Sequence, residues 1–181
     1  YNLAYQLTSK ALITLQSLSN FIQLGSKNPT TIIHIFGIYP LPGSTKAILE
    51  MSDEIMPYLL EKDEDGHNFF TLIAITGQRI INNIKQILDW ADTKLERYEY
   101  LSKPIQSSKP NSKEAEQSFF HFITHWTSSI NTDDELYQFL TVIDRVLNIA
   151  TNNTSLLESL KNPIVSNYSY KNQNFFHLLM N

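Results

Sequence analysis

The chain has 181 residues, 42% of them hydrophobic and 18% charged, with a formal net charge of −4 at pH 7 and no cysteine. That apolar fraction is enough for a real core and excludes global disorder. The acidic balance argues against a duplex nucleic-acid binder, and the lack of cysteine excludes disulfides, thiolate metal sites and cysteine catalysis.

In chain order, the apolar residues Leu3, Leu7, Leu12, Leu15, Leu18 and Ile22 predict a helix that ends at Gly25. Ser26 to Pro29 reads as a turn. Thr31 then caps a short apolar helix, Ile32 to Tyr39, stopped by Pro40 to Gly43. Ser44 opens a helix with Ala47, Ile48, Met51 and Ile55 on one side, which Pro57 is expected to kink or divide. A polar turn centred on Asp65-Gly66 precedes a short helix from Phe69 to Ile75. Ile80, Ile81, Ile84, Ile87 and Leu88 mark the next helix, reaching Trp90 and Ala91. Ser102 to Glu116 carries two prolines among serines and lysines and predicts a long loop. Phe119 to Trp126 is again short and apolar. Thr132 and Glu135 form a capping-box pair before a long helix whose apolar face runs from Leu136 to Ile149. Thr154 caps one more short helix, to Leu160, and Phe175 to Met180 starts another.

An apolar knot recurs in this order: Ile32-Ile33-His34, Phe69-Phe70-Thr71, Phe119-Phe120-His121 and Phe175-Phe176-His177. The knots begin at 32, 69, 119 and 175, so the offsets are 37, 50 and 56 residues. A second echo pairs Leu101-Ser102-Lys103-Pro104 with Leu160-Lys161-Asn162-Pro163, 59 residues apart. A helix such as Phe69 to Ile75 is apolar almost all round, so it needs neighbours on both sides. Stacked units supply them.

The stretch Asp63-Glu64-Asp65-Gly66-His67-Asn68-Phe69-Phe70-Thr71-Leu72-Ile73 resembles the ankyrin repeat in layout: acid, turn glycine, capping residue, helix. Ile84 to Asp92 is similar to the family's second helix without its terminal glycine. His34, His121 and His177 fall where the family has its helix-bonding histidine, and Thr31, Ser118 and Asn174 fall at its capping position. The family's proline is absent from every copy, three copies lack the turn glycine, and the longer copies carry roughly twenty extra residues over the usual unit.

The resemblance implies an all-α, irregular solenoid of stacked ankyrin-like helix pairs with long inter-repeat insertions. An N-terminal helix (1–25) would lead into repeats at about 26–62, 63–112 and 113–168, with an incomplete copy at 169–181. The missing initiator Met and the stop inside an apolar run lead us to expect a piece of a longer protein. Divergent arrays of this kind in Ile- and Asn-rich sequences look like those of intracellular bacterial pathogens, whose effectors use them in host cells. The implied function is a protein–protein interaction scaffold for a host or partner protein, in the cytoplasm or secreted into a host cytosol. It would be no enzyme and would need no cofactor. The alternative is a helical accessory region of a larger effector enzyme whose catalytic domain lies outside this chain. The family analogy places the contact surface on the inner face, at His67 near a turn tip, Gln78 and Arg79 after one short helix, and His125 and Trp126 at the end of another.

His121 and His125 share a helix face and could ligate a metal, but Phe122 stands where a zinc protease has its glutamate, and no third ligand is placed. No G-x-S-x-G elbow or Gly-rich phosphate loop occurs. Asp133, Asp134 and Glu135 suit the first turn of a helix better than acid–base work. The acids from Glu50 to Asp65 read as a solvated loop and helix end, or as a docking patch for a basic partner. Trp90, Tyr98, Tyr100 and Trp126 lie at or past helix ends, either buried against the next unit or offered to a partner. No apolar run reaches the length of a membrane span, and the opening YNLAYQLTSK lacks the layout of a signal peptide.

Overall fold

The computed structural model describes residues 32–40, 42–63, 65–76, 81–104, 117–125, 130–162 and 173–180. The expected helix over Leu3 to Leu24, the Thr31 cap and most of the Ser102–Glu116 insert lie outside them. The described residues are all-helical, with no strand. Their elements are α1 Ile32–Ile38, α2 Ser44–Glu50, α3 Ser52–Leu59, α4 Phe69–Thr76, α5 Ile81–Asp92, α6 Glu96–Ser102, α7 Phe119–Thr124, α8 Asp133–Asn152, α9 Thr154–Lys161 and α10 Phe175–Leu179.

Each apolar knot becomes a short helix, and these helices lie in a row. α1 packs on α4, α4 on α7, and α7 on α10. Phe69, Phe70, Phe119, Phe120 and Phe175 are at most 1% exposed, so the knots form the centre of one continuous core. Within each Phe-Phe knot the two rings meet edge to face, 5.4–5.5 Å apart. Gly37 permits a close approach of α1 to α4. A Cβ there would stand 2.9 Å from Leu72 Cβ and 3.3 Å from the Phe69 carbonyl.

The helix heads are fixed by one reciprocal device. Thr71 N–H donates to Asn68 Oδ1 at 3.1 Å while Asn68 N–H donates to Thr71 Oγ1 at 2.9 Å. Ser118 N–H donates to His121 Nδ1 at 3.2 Å. His177 N–H donates to Asn174 Oδ1 at 3.1 Å, and Asn174 N–H to His177 Nδ1 at 3.3 Å. Each pair satisfies backbone donors that a helix start otherwise leaves bare. Ahead of α4, Asp63 Oδ1 accepts from the N–H groups of Asp65 and His67, both at 2.9 Å. Gly66 completes that turn with φ 88°, a left-handed conformation that glycine adopts without steric cost. His34 Nε2 donates to the Glu61 carbonyl at 2.9 Å, tying α1 to the entrance of the turn ahead of α4.

Behind the short helices run the longer ones. α5 packs against α2 on one side and α8 on the other. Two expectations change here. The helix opened by Ser44 divides at Met51 (φ −97°, ψ 5°), and Pro57 sits inside α3. The carbonyl that Pro57 leaves without a donor is that of Asp53, in the first turn of α3, and the proline side chain is exposed. The expected helix pairs are in fact pairs followed by a third helix. α6 was not anticipated; it packs on α5, α7 and α9.

The second sequence echo finds its explanation in these third helices. Leu101 and Leu160 are buried near the ends of α6 and α9, which pack together, and Ser159 Oγ donates to the Ser102 carbonyl at 3.3 Å. Lys103 (φ −65°, ψ 128°) and Asn162 (φ −63°, ψ 129°) then leave in the same extended conformation, as a residue before proline must.

Candidate functional site

A groove of about 610 Å³ lies between α2, α3, α5 and α6. Leu49 and Trp90 give it an apolar wall; Lys46, Glu50, Asp53, Gln86, Asp89 and Arg97 give it a charged and polar rim. Trp90 is set by three neighbours. Phe70 stacks on it at 5.1 Å, the Arg97 guanidinium lies 4.6 Å from its ring, and its Nε1–H donates to Ser52 Oγ at 2.6 Å. Arg97 is itself only 7% exposed. A buried guanidinium needs several acceptors, and it has the Trp90 carbonyl at 2.9 Å, Thr93 Oγ1, and Asp53 Oδ1 at 2.8 Å. Lys94 holds the other Asp53 oxygen at 2.9 Å. Hydrogen bonds from Lys94 and then Arg97 keep the exposed Asp53 carboxyl below its ordinary value. It is a committed anion and a poor proton acceptor. Ser52 is buried and serves the indole. The groove therefore suits contact with another surface better than acid–base or nucleophilic chemistry.

A second ion-paired set follows on the α8 side. Arg145 binds Asp89 at 2.7 Å and also Asp92, to which the Tyr98 hydroxyl donates. Burial and this anionic neighbour push the Tyr98 phenol well above its ordinary value. A smaller hollow of about 450 Å³ is lined by Asn68, Thr71, Tyr100 and Lys103, with the Lys103 ammonium 5.1 Å from the Tyr100 ring centre.

The residues singled out from sequence fare unequally. His67 was expected near an open turn tip. The structure corrects this: His67 is 4% exposed, its ring 5.9 Å from Phe122, because the turn folds against α7. His125 is half-buried, and its Nε2 hydrogen-bonds Gln117 Oε1 at 2.8 Å. Gln78, Arg79 and Trp126 lie outside the described residues. Trp90 and Tyr98 are 6% and 1% exposed, so they are core residues and not free anchors. Of the acids from Glu50 to Asp65, Asp53 is ion-paired and Asp63 builds the turn.

His121 uses Nδ1 as the acceptor for its cap, which leaves the proton on Nε2. That atom is buried and has no hydrogen-bond partner among the described residues. Burial, with a smaller contribution from His125, lowers the His121 pKa to about 4. Asp133 to Glu135 form the capped first turn of α8, where Glu135 N–H donates to Thr132 Oγ1 at 3.2 Å.

Arg97 is the most deeply committed of the groove residues that sequence reasoning missed. In a stretch of charged side chains it looks like surface, and only the Tyr98–Leu101 spacing hints at a buried helix. No helix among the described residues is long and apolar enough to cross a membrane. No protein-family model matches the chain, and no curated protein or solved structure matches it significantly.

Proposed function

We propose that this chain is a protein–protein interaction module built from divergent, ankyrin-like repeats. The observation that carries the reading is the recurring reciprocal cap at the heads of short helices that pack in a single row. In such a stack each unit touches its neighbours, and the energy of folding is spent between units. What remains is a long, continuous exterior, the form that repeat proteins use for binding. Of the polar side chains with the most distinctive surroundings, Arg97 and Asp53 join α6 to α3, and Ser118 and His121 close the head of α7. The reading assigns this chain no catalytic step and no cofactor. Its partner is a protein, and the compositional resemblance favours one in a host cytosol.

Affinity capture from a candidate host lysate tests it, with wild type beside R79A and W126A. The expected result is a protein enriched by wild type and reduced severalfold by one of the variants. Equal recovery on all three overturns the inner-face assignment, and nothing above empty resin overturns the interaction reading.

A further inference from the structure

We infer that the open flank of α8 is a docking site for an amphipathic helix that carries an apolar ridge and a basic flank. The inference deepens the interaction reading and rests on it.

α8 is the longest helix described, and its faces are unequal. Arg145 marks the side turned to α5, through Asp89 and Asp92. At 100° per residue, Leu136, Leu140 and Leu147 lie about 140–180° around the helix from Arg145. They face away from α5, where the next member of the row α2–α5–α8 would sit. With Ile143 they form a ridge at spacings of four, three and four residues, the pattern by which helices pack. Nothing described covers its first half: Leu136 is 43% exposed and Leu140 53%. Two exposed leucines one turn apart are a contiguous apolar patch on an otherwise polar surface.

Charge selects the occupant. Asp133 and Asp144 are exposed, lie about 80–100° around the helix from Ile143 in this ridge, and make no ion pair among the described residues. Glu135 is engaged in the cap, and the single base of α8, Arg145, is committed to α5. A helix laid along this ridge would bury its own apolar side chains against Leu136 and Leu140 and place lysines or arginines against the aspartates. This is helix-in-groove recognition, with a flank that rejects acidic partners. A second copy of α8 would instead oppose like charges.

A fluorescein-labelled helical peptide, with leucines at the matching four-three-four spacing and lysines along one flank, is the probe. Wild type is expected to bind it with a Kd on the order of micromolar. Leu136→Asp and Leu140→Asp should each weaken binding by about tenfold or more while leaving the melting curve unchanged, since both side chains are exposed. Asp144→Lys should weaken the lysine peptide and strengthen its glutamate counterpart. Equal binding by wild type and Leu140→Asp, or no difference between the lysine and glutamate peptides, overturns the proposal. So does a dimer in light scattering that Leu140→Asp dissolves, because the occupant is then a second copy. If the peptide fails while lysate capture still depends on Arg79, this flank is wrong and the interaction reading stands. If wild type captures nothing above empty resin, the interaction reading itself fails.

Discussion

The unit α4–α5–α6 and the unit α7–α8–α9 have the same order of elements and differ in two respects. In the first, the long helix α5 is covered on both flanks, and Leu88 is fully buried. In the second, α8 is covered by α5 on one flank and shows Leu136 and Leu140 on the other. The first closes its short helix with Asn68 and Thr71, neither of which titrates; the second uses Ser118 and His121, one of which does. The difference teaches that one architectural rule, a capped short helix with a long helix behind it, tolerates different chemistry at the cap. It also shows that a long helix packed on both flanks buries leucines of the kind that α8 leaves exposed.

The largest test of that contrast is the pair Leu88→Ala and Leu140→Ala. Both remove the same atoms from equivalent long helices. Leu88→Ala opens a cavity and should cost about 2–5 kcal/mol, whereas Leu140→Ala should stay within about 0.5 kcal/mol. Urea titrations of the two variants check this, and similar losses would mean that the α8 flank is covered after all.

The cap contrast comes next. The folded pKa of His121, about 4, lies below its ordinary value of 6.5. A depressed histidine pKa means that the unfolded chain binds the proton first. Its full contribution is therefore present above pH 6.5 and is lost progressively as pH falls toward 4, amounting to about 3 kcal/mol at most. His121→Thr imports the Thr71 arrangement and should flatten stability against pH over this window. The variant and wild type, compared by denaturation at pH 7 and pH 4.5, give the answer as a difference. An unchanged slope would show that His121 does not titrate in this window.

The smallest effect is expected at the join between the units. Arg145 is 29% exposed and its partners Asp89 and Asp92 are more so, so Arg145→Ala should cost less than about 1 kcal/mol, and less still in high salt. Thermal melts at two salt concentrations decide it. A large, salt-insensitive loss would show that apolar contact by the arginine stem matters more than its charge.

Much of this fold was legible before the structure. Phe69, Phe119 and Phe175 announce short helices because adjacent phenylalanines on so short a segment cannot all be exposed. The polar pairs at positions 68 and 71, 118 and 121, and 174 and 177 have cap spacing. What stayed hidden depends on contacts that local sequence does not record. α6 reads as polar because Glu96, Arg97 and Glu99 outnumber its buried Tyr98 and Leu101; the charge on Arg97 is satisfied by Asp53, 44 residues away. Pro57 looked like the breaker, yet the helix breaks at Met51, where the chain turns to carry α3 toward α5 and α6. His67 follows a turn glycine and so looked like a tip, but the tip is pressed against Phe122 of the next unit. The site was less legible than the fold, because its groove is made by residues from four helices.

Trp90 gives the stack an optical gauge. Its indole bridges two units, stacked on Phe70 and hydrogen-bonded to Ser52, with the Arg97 guanidinium beside it. In a Trp126→Phe background its emission should report the separation of the first unit from the second, independently of changes at the α8 end. A red shift that precedes global unfolding would reveal a chain that opens unit by unit; a coincident one, a stack that melts as a whole.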